Sequence, residues 1–319
     1  MRSVNVTSNV STDDSFQTCL RTYVVNSPST RYVIIGAVSC VINGVFLVVG
    51  VALNFLIILT LWRSSYLRNK LTYFITMVLS VTDFCVAAIV HPLFIVNSLN
   101  QMLGQPKCLY MILYQEAAIT FSGMSFMTLF VINLERYLSI VHPLWHRASL
   151  TKDHCLFLAM LLWIIPLLLA VSYFIGLNIK VPVAVFSLTL CLATIYLYVM
   201  IFFKARSILN GPQTKRNCIS GIANNTTLRR NLKLAKTFFF VVVTCFICYL
   251  PLTAVYTLWD GNFISLKTML EMHLWTATLY TTNSTLNCLI IFWVNSVLRR
   301  ECWKTAGSFV TIPITSSRD

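Results

Sequence analysis

Seven stretches of this chain, at about 32–62, 71–99, 109–141, 155–177, 181–205, 233–259 and 268–294, are apolar and long enough to cross a bilayer. A spanning helix needs about 20 such residues. Inside hydrocarbon every backbone N–H and C=O must be satisfied within the segment, so runs of this kind fold as helices. Composition closes the argument. The chain of 319 residues is 57% apolar and 11% charged, with a mean hydropathy of +0.75. Ordinary soluble domains carry about 25% charged residues, so there are too few here to coat a water-facing surface. A soluble enzyme, a disordered tail and a secreted mini-protein are excluded. The reading is an all-α membrane protein, a seven-transmembrane helix bundle.

The net charge of +14 would suit nucleic acid, but its placement argues otherwise. Eighteen of the 24 Lys and Arg lie in the clusters 63–70, 136–152, 204–236 and 299–318, on one side of an alternating set of spans. The other six, Arg2, Arg21, Arg31, Lys107, Lys180 and Lys267, fall on the opposite side. Basic residues accumulate on cytoplasmic loops, so the excess marks the inner face and no nucleic-acid partner is expected. Residues 1–31 then form an extracellular segment, 32–294 the seven-span domain, 295–304 a short helix on the membrane surface and 305–319 a cytoplasmic tail. The location implied is the plasma membrane, crossed several times, with lipids as partners. Asn5-Val-Thr and Asn9-Val-Ser are glycosylation sequons in the outer segment. In the surface helix, Leu298 and Trp303 are expected to face lipid, and Cys302 is either palmitoylated or a plain thiol.

Seven of the eleven cysteines lie within spans, where Cys packs as a small apolar residue. Cys218 and Cys302 face the reducing side. Cys19 and Cys108 alone are on the oxidising side outside the core, and their pairing would tie the N-terminal segment over the bundle.

Polar residues inside hydrocarbon are costly and so become functional candidates. They are Asn54 in span 1, Asp83 in span 2, Ser125 in span 3, and Asn283, Ser284 and Asn287 in span 7. On polarity alone they are either hydrogen-bonded helix glue or a site. Their setting favours the site. Leu79-Ser-Val-Thr-Asp83, Glu135-Arg136-Tyr137 with Pro143 seven residues after the arginine, Trp163, Cys248-Tyr-Leu-Pro251 and Asn283-Ser-Thr-Leu-Asn287 follow one another in order along the spans. Across residues 30–304 the chain resembles a rhodopsin-like (class A) G-protein-coupled receptor.

The resemblance implies a cell-surface receptor that binds an extracellular ligand and signals through heterotrimeric G proteins by outward movement of span 6. Arg136 would leave Glu135 for Tyr198 and an inserted G-protein helix, with Tyr137 beside the pair. Pro251 would kink span 6, since proline removes a ladder hydrogen bond. The resemblance also implies an allosteric sodium ion at Asp83, Ser125, Asn283, Ser284 and Asn287; the rival state is a protonated Asp83 bonded to Asn287. No other metal or cofactor is implied, and no enzymatic activity.

Departures from the family pattern are several. Tyr249 replaces the span 6 tryptophan, Leu190 the span 5 proline, Cys288 and Ile291 the span 7 proline and tyrosine. Asn231 stands where many members have an acidic partner for the arginine, so appreciable basal activity is expected. The missing span 5 proline and the tiny 178–181 loop resemble melanocortin- and cannabinoid-type receptors. Loss of the span 7 tyrosine keeps open a non-signalling decoy or scaffold. A small transporter or channel is disfavoured because internal repeats and several midplane charges are lacking.

Helix phase outlines an outer pocket from Gln115, Ala118, Ser122, Tyr249, Tyr256 and His273, with Trp259, Trp275 and Tyr280 as an aromatic rim. Thr281, Ala118 and Tyr256 stand where retinal, monoamine and adenosine receptors keep lysine, aspartate and asparagine, so a lipid or peptide ligand is favoured. Two further signals carry no chemistry. Cys245-Phe-Ile-Cys248 is buried in an apolar span, and His142 with His146 lacks a carboxylate third ligand for a metal.

Overall fold

A computed structural model describes residues 16–19, 22–175, 177, 180–210 and 225–310. Seven helices run Thr30–Arg63, Leu71–Met102, Cys108–Val141, Lys152–Phe174, Lys180–Asn210, Asn225–Asp260 and Leu266–Val294; they are spans 1 to 7. The first four, and Phe239–Asp260 within span 6, are long and apolar enough to cross a membrane. Span 7 is less apolar because its buried face carries Thr278, Thr281, Thr282, Asn283, Ser284, Thr285 and Asn287. That polar stripe, rather than composition, gives span 7 its place facing the bundle axis.

Local chemistry sets the ends. Ser29 and Ser265 cap spans 1 and 7 by accepting from the backbone N–H groups of Tyr32 and Thr268, which satisfies donors the first helical turn leaves open. Spans 2 and 3 each contain one π-helical turn, Val86–Val90 and Ala118–Ser122. Such turns locally re-aim the side chains that follow. In span 2 the next residue is His91, which is fully buried.

Glycines let span 1 approach its neighbours. A Cβ on Gly50 would lie 2.4 Å from Thr285 Oγ1 and 2.9 Å from the Cβ of Ala87, whereas one on Gly44 meets nothing within 4 Å. Gly50→Ala is therefore expected to cost about 1–3 kcal/mol through overpacking. Gly44→Ala should instead stabilise slightly, by up to ~1 kcal/mol of helix propensity. Thermal unfolding of both purified variants checks the pair; equal midpoints would contradict this packing.

Two elements differ from expectation. The N-terminal segment contains a hairpin, Phe16–Cys19 paired antiparallel with Thr22–Val25, Cys19 opposite Thr22. Its second strand packs on the outer end of span 2 and its first on the start of span 3. Val25 is buried and Tyr23 meets Trp259 edge-on at 5.6 Å. The other difference concerns the helix after span 7, which runs Ser296–Val310 and packs on spans 1 and 7. Leu298 does not face lipid: it and Cys302, one turn apart, are 0% exposed in a cluster with Ile57, Leu61 and Tyr73. Trp303, 65% exposed, is on the outward side. Burial pushes the Cys302 thiol pKa above its ordinary value. A buried, protonated thiol is a poor nucleophile, so palmitoylation would require this helix to leave its seat. Asn5, Asn9 and the side chains of Cys19 and Asn231 lie outside the described residues.

Candidate functional site

At mid-bundle Asp83 is buried and both carboxylate oxygens accept hydrogen bonds. Ser125 Oγ donates to Oδ1 at 2.5 Å and Asn287 Nδ2 to Oδ2 at 3.3 Å. The structure thus brings together span 2, span 3 and span 7 residues that the sequence singled out. Ser284 is buried but donates to the Thr281 carbonyl at 3.1 Å. Three amide oxygens, on Asn54, Asn283 and Asn287, are buried without a partner among the described residues. A carboxylate with unsatisfied neutral oxygens in the surrounding helices is a donor set suited to a hard monovalent cation, and the residues present fit one.

One layer outward lies a polar network the sequence reading missed. His91 Nδ1 sits 2.7 Å from Asn43 Oδ1, which also accepts from Thr281 Oγ1 at 2.9 Å, while Asn43 Nδ2 donates to the Ser39 carbonyl and to Thr278 Oγ1. With the amide nitrogen so committed, Asn43 Oδ1 is an acceptor, and the histidine must carry its hydrogen on Nδ1. The network ties spans 1, 2 and 7 together.

At the basic end, Arg136 and Glu135 form an ion pair with side chains 1% and 2% exposed. Arg136 Nε donates to Glu135 Oε2 at 2.5 Å, and its terminal nitrogen also donates to Thr72 Oγ1. Tyr198 does not reach Arg136; its hydroxyl donates to Asn133 Oδ1 at 2.8 Å. Tyr137 packs with Ile140 and Ile201 and meets His142 edge-on at 5.9 Å. His146, on the short helix Pro143–Ser149, places Nε2 3.0 Å from Glu135 Oε1. Trp163 fixes span 4 to span 3 by donating to Thr128 Oγ1 at 3.0 Å and to the Met124 carbonyl at 3.2 Å.

Residues 53–184 match the family "7 transmembrane receptor (rhodopsin family)". Among curated proteins, melanopsin-A of Danio rerio is 30% identical over 50% of this chain and 26% of its own length. Melanopsin of Felis catus is 26% identical over 65% of this chain and 48% of its own length. Cannabinoid receptor 1 of Xenopus laevis is 25% identical over 88% of this chain and 65% of its own length. The chain thus spans about half or less of the first relatives it matches. The structure brings Asp83, Ser125 and Asn287 of spans 2, 3 and 7 into contact, and the family match covers spans 2 to 4 and part of span 1.

Over residues 53–184 the chain is similar to the rhodopsin-like family of seven-transmembrane receptors.

This family consists of multi-pass membrane receptors, not enzymes. On the outer side of the bundle, Tyr249 stands where the family pattern has the span 6 tryptophan. It stacks on Phe126 at 5.2 Å and meets Tyr280 edge-on at 4.7 Å. Its hydroxyl donates to the Ser122 carbonyl at 3.1 Å, and that of Tyr280 to the Ala118 carbonyl at 3.2 Å. Both acceptors lie in the π-helical turn of span 3, where the regular ladder is interrupted. Tyr256 meets His273 edge-on at 5.8 Å nearer the mouth. Gln115 is half-buried and Ser122 is buried. Trp275 is 40% exposed. Cys245 and Cys248 are buried core residues. Cys108 is disulfide-bonded, to a partner outside the described side chains.

Proposed function

We propose that this chain is a plasma-membrane receptor, N-terminus outside, that binds an extracellular ligand and signals through heterotrimeric G proteins by outward movement of span 6. The observation that supports it most is the state of Arg136: a buried cation held by Glu135 and Thr72, with Tyr198 engaged elsewhere. That is one of two arrangements such an arginine can adopt, and the other would present it to a partner. Pro251 lies inside span 6, where the missing N–H makes a bend inexpensive. The aromatic residues Tyr249, Tyr280 and Tyr256 toward the outer side favour a lipid or peptide over a monoamine, adenosine or retinal, as Ala118, Tyr256 and Thr281 do. Asp83, Ser125, Asn283, Ser284 and Asn287 are the residues that would hold a sodium ion, which would supply the positive charge the carboxylate lacks. A panel of G-protein dissociation assays, run without ligand and then with lipid and peptide libraries, tests the reading. A flat response in every channel would favour the non-signalling alternative, which the buried Ile291 in place of the span 7 tyrosine supports.

The outer segment is proposed to carry glycans on Asn5 and Asn9 and to be linked through Cys19 to Cys108. The first hairpin strand, which ends at Cys19, packs on the helix that Cys108 opens. Mass spectrometry of unreduced, protease-digested protein is expected to find a Cys19–Cys108 peptide pair and both sequons modified. A Cys19 thiol free to alkylate, or unmodified asparagines, would refute the respective assignment.

A further inference from the structure

Glu116 is turned away from the bundle. In its stretch of span 3 the buried residues are Met111, Tyr114, Ala117 and Ala118, and at about 3.6 residues per turn Glu116 lies nearly opposite them. It shares that outer face with Leu109 and Leu113, which are 63% and 43% exposed. The helix opens at Cys108, and Lys107 reaches over the Tyr110 ring there, a pairing suited to the membrane interface. At roughly 1.5 Å per residue, Glu116 lies about 9 Å deeper than Tyr110, in the upper part of the hydrocarbon. Its side chain is half-buried, and Oε1 is enclosed with no hydrogen-bond partner among the described residues. None of the ion pairs among those residues includes it.

We propose that Glu116 is the polar anchor of a membrane-facing site for a long-chain amine, an ammonium group carried on a single hydrocarbon chain. An ionisable group facing lipid without a partner is costly and marks a site by default. Nothing in the aromatic pocket or the Asp83 layer uses this residue, which points the other way. A metal ion is a poor occupant, because no group of three ligating side chains occurs among the described residues. A water-soluble amine is a poor one too, because the carboxylate opens on lipid rather than on the mouth of the bundle. Helical side chains lean toward the helix N-terminus, which here is the outer end, so the carboxylate is aimed up toward the level where a lipid amine sits. This part of span 3 packs on the outer half of span 2 and on span 4. Leu99 of span 2 and Leu168 and Val171 of span 4 are exposed apolar residues against which the chain would lie. The site depends on the chain spanning a membrane and not on G-protein coupling.

The test uses full-length protein in phosphatidylcholine nanodiscs containing diazirine-tagged hexadecylamine or the equally tagged hexadecanol. Photolabelled peptides are mapped, and the mole fraction at half-maximal labelling is read. The amine is expected to label peptides of spans 2 to 4 at about a tenfold lower mole fraction than the alcohol, the worth of a hydrogen bond between charged groups. Glu116→Gln should bring the amine to the level of the alcohol, while Glu116→Asp keeps part of the preference. Glu271→Gln, at the outer mouth, should change nothing, which separates this site from general attraction to outer carboxylates. In discs without amine, Glu116→Gln should unfold no earlier than wild type, since a neutral amide is cheaper to hold in hydrocarbon than an unpaired charge. Equal labelling by amine and alcohol, equal labelling of wild type and Glu116→Gln, or the same loss in Glu271→Gln overturns the proposal. So does a lower unfolding temperature of Glu116→Gln in amine-free discs, which would mean that the carboxylate is already held within the protein.

Discussion

Replacing Arg136 by alanine is expected to remove nucleotide exchange on G proteins, a loss of at least about a hundredfold per receptor at the cell surface. The guanidinium donates to both Glu135 and Thr72, and in the proposed mechanism the same fork binds the partner after the switch. Hydrogen bonds to charged groups contribute roughly 1.5–3 kcal/mol each, and about 2.7 kcal/mol is a hundredfold. Arg136→Lys should fall between, because an ammonium keeps the charge but loses the planar fork. Glu135→Gln should move the other way and raise ligand-free exchange, since it weakens the resting pair alone. Surface abundance of Arg136→Ala will also drop, with Glu135 left to His146, so exchange must be normalised to an N-terminal epitope. An Arg136→Ala receptor exchanging at the wild-type rate would sink the coupling reading.

Which parts of this molecule could be read from its sequence depended on whether the information was local. Seven apolar runs are a local property, and each became a helix. Asp83, Ser125 and Asn287 were identified because polar groups in hydrocarbon stand out individually, and their contacts follow from facing one axis. Leu298 was misplaced because amphipathicity gives two faces but not which neighbour covers one of them; span 1 does, through Ile57 and Leu61. His146 was considered only as half of a metal pair with His142. Its partner, Glu135, is eleven residues away, and although Pro143 marks a break in the helix there, it does not fix the direction in which the chain turns back. His91 and Asn43 each lie singly in apolar surroundings and gave no pattern; the π-helical turn before His91 is what aims it at span 1. The hairpin was hidden in a polar segment, though Phe16, Tyr23, Val24 and Val25 are strand-forming types.

Asp83→Asn is expected to abolish sodium sensitivity altogether. A fully buried carboxylate cannot remain ionised and uncompensated, since desolvation alone costs several kcal/mol. Two neutral donors, Ser125 and Asn287, orient it but add no charge. The balance must come from a proton or a cation, and two features favour the cation. Asn287 presents its amide nitrogen, not its oxygen, to the carboxylate. The oxygens of Asn54, Asn283 and Asn287 are buried with nothing among the described residues to satisfy them, and hard cations take oxygen ligands of this kind. Because spans 2, 3 and 7 all contribute, any rearrangement that draws them closer together at Asp83 would expel the ion. Sodium should therefore bind the resting arrangement better and lower basal exchange, with a tenfold effect requiring only about 1.4 kcal/mol of differential affinity. Binding to the folded state alone also raises its stability by mass action. The measurement is a titration of sodium against a large organic cation at fixed ionic strength, following both basal exchange and the thermal midpoint of purified protein. Wild type should lose exchange and gain stability as sodium rises, while Asp83→Asn stays flat in both. If the two proteins respond alike, Asp83 is protonated and no sodium site exists.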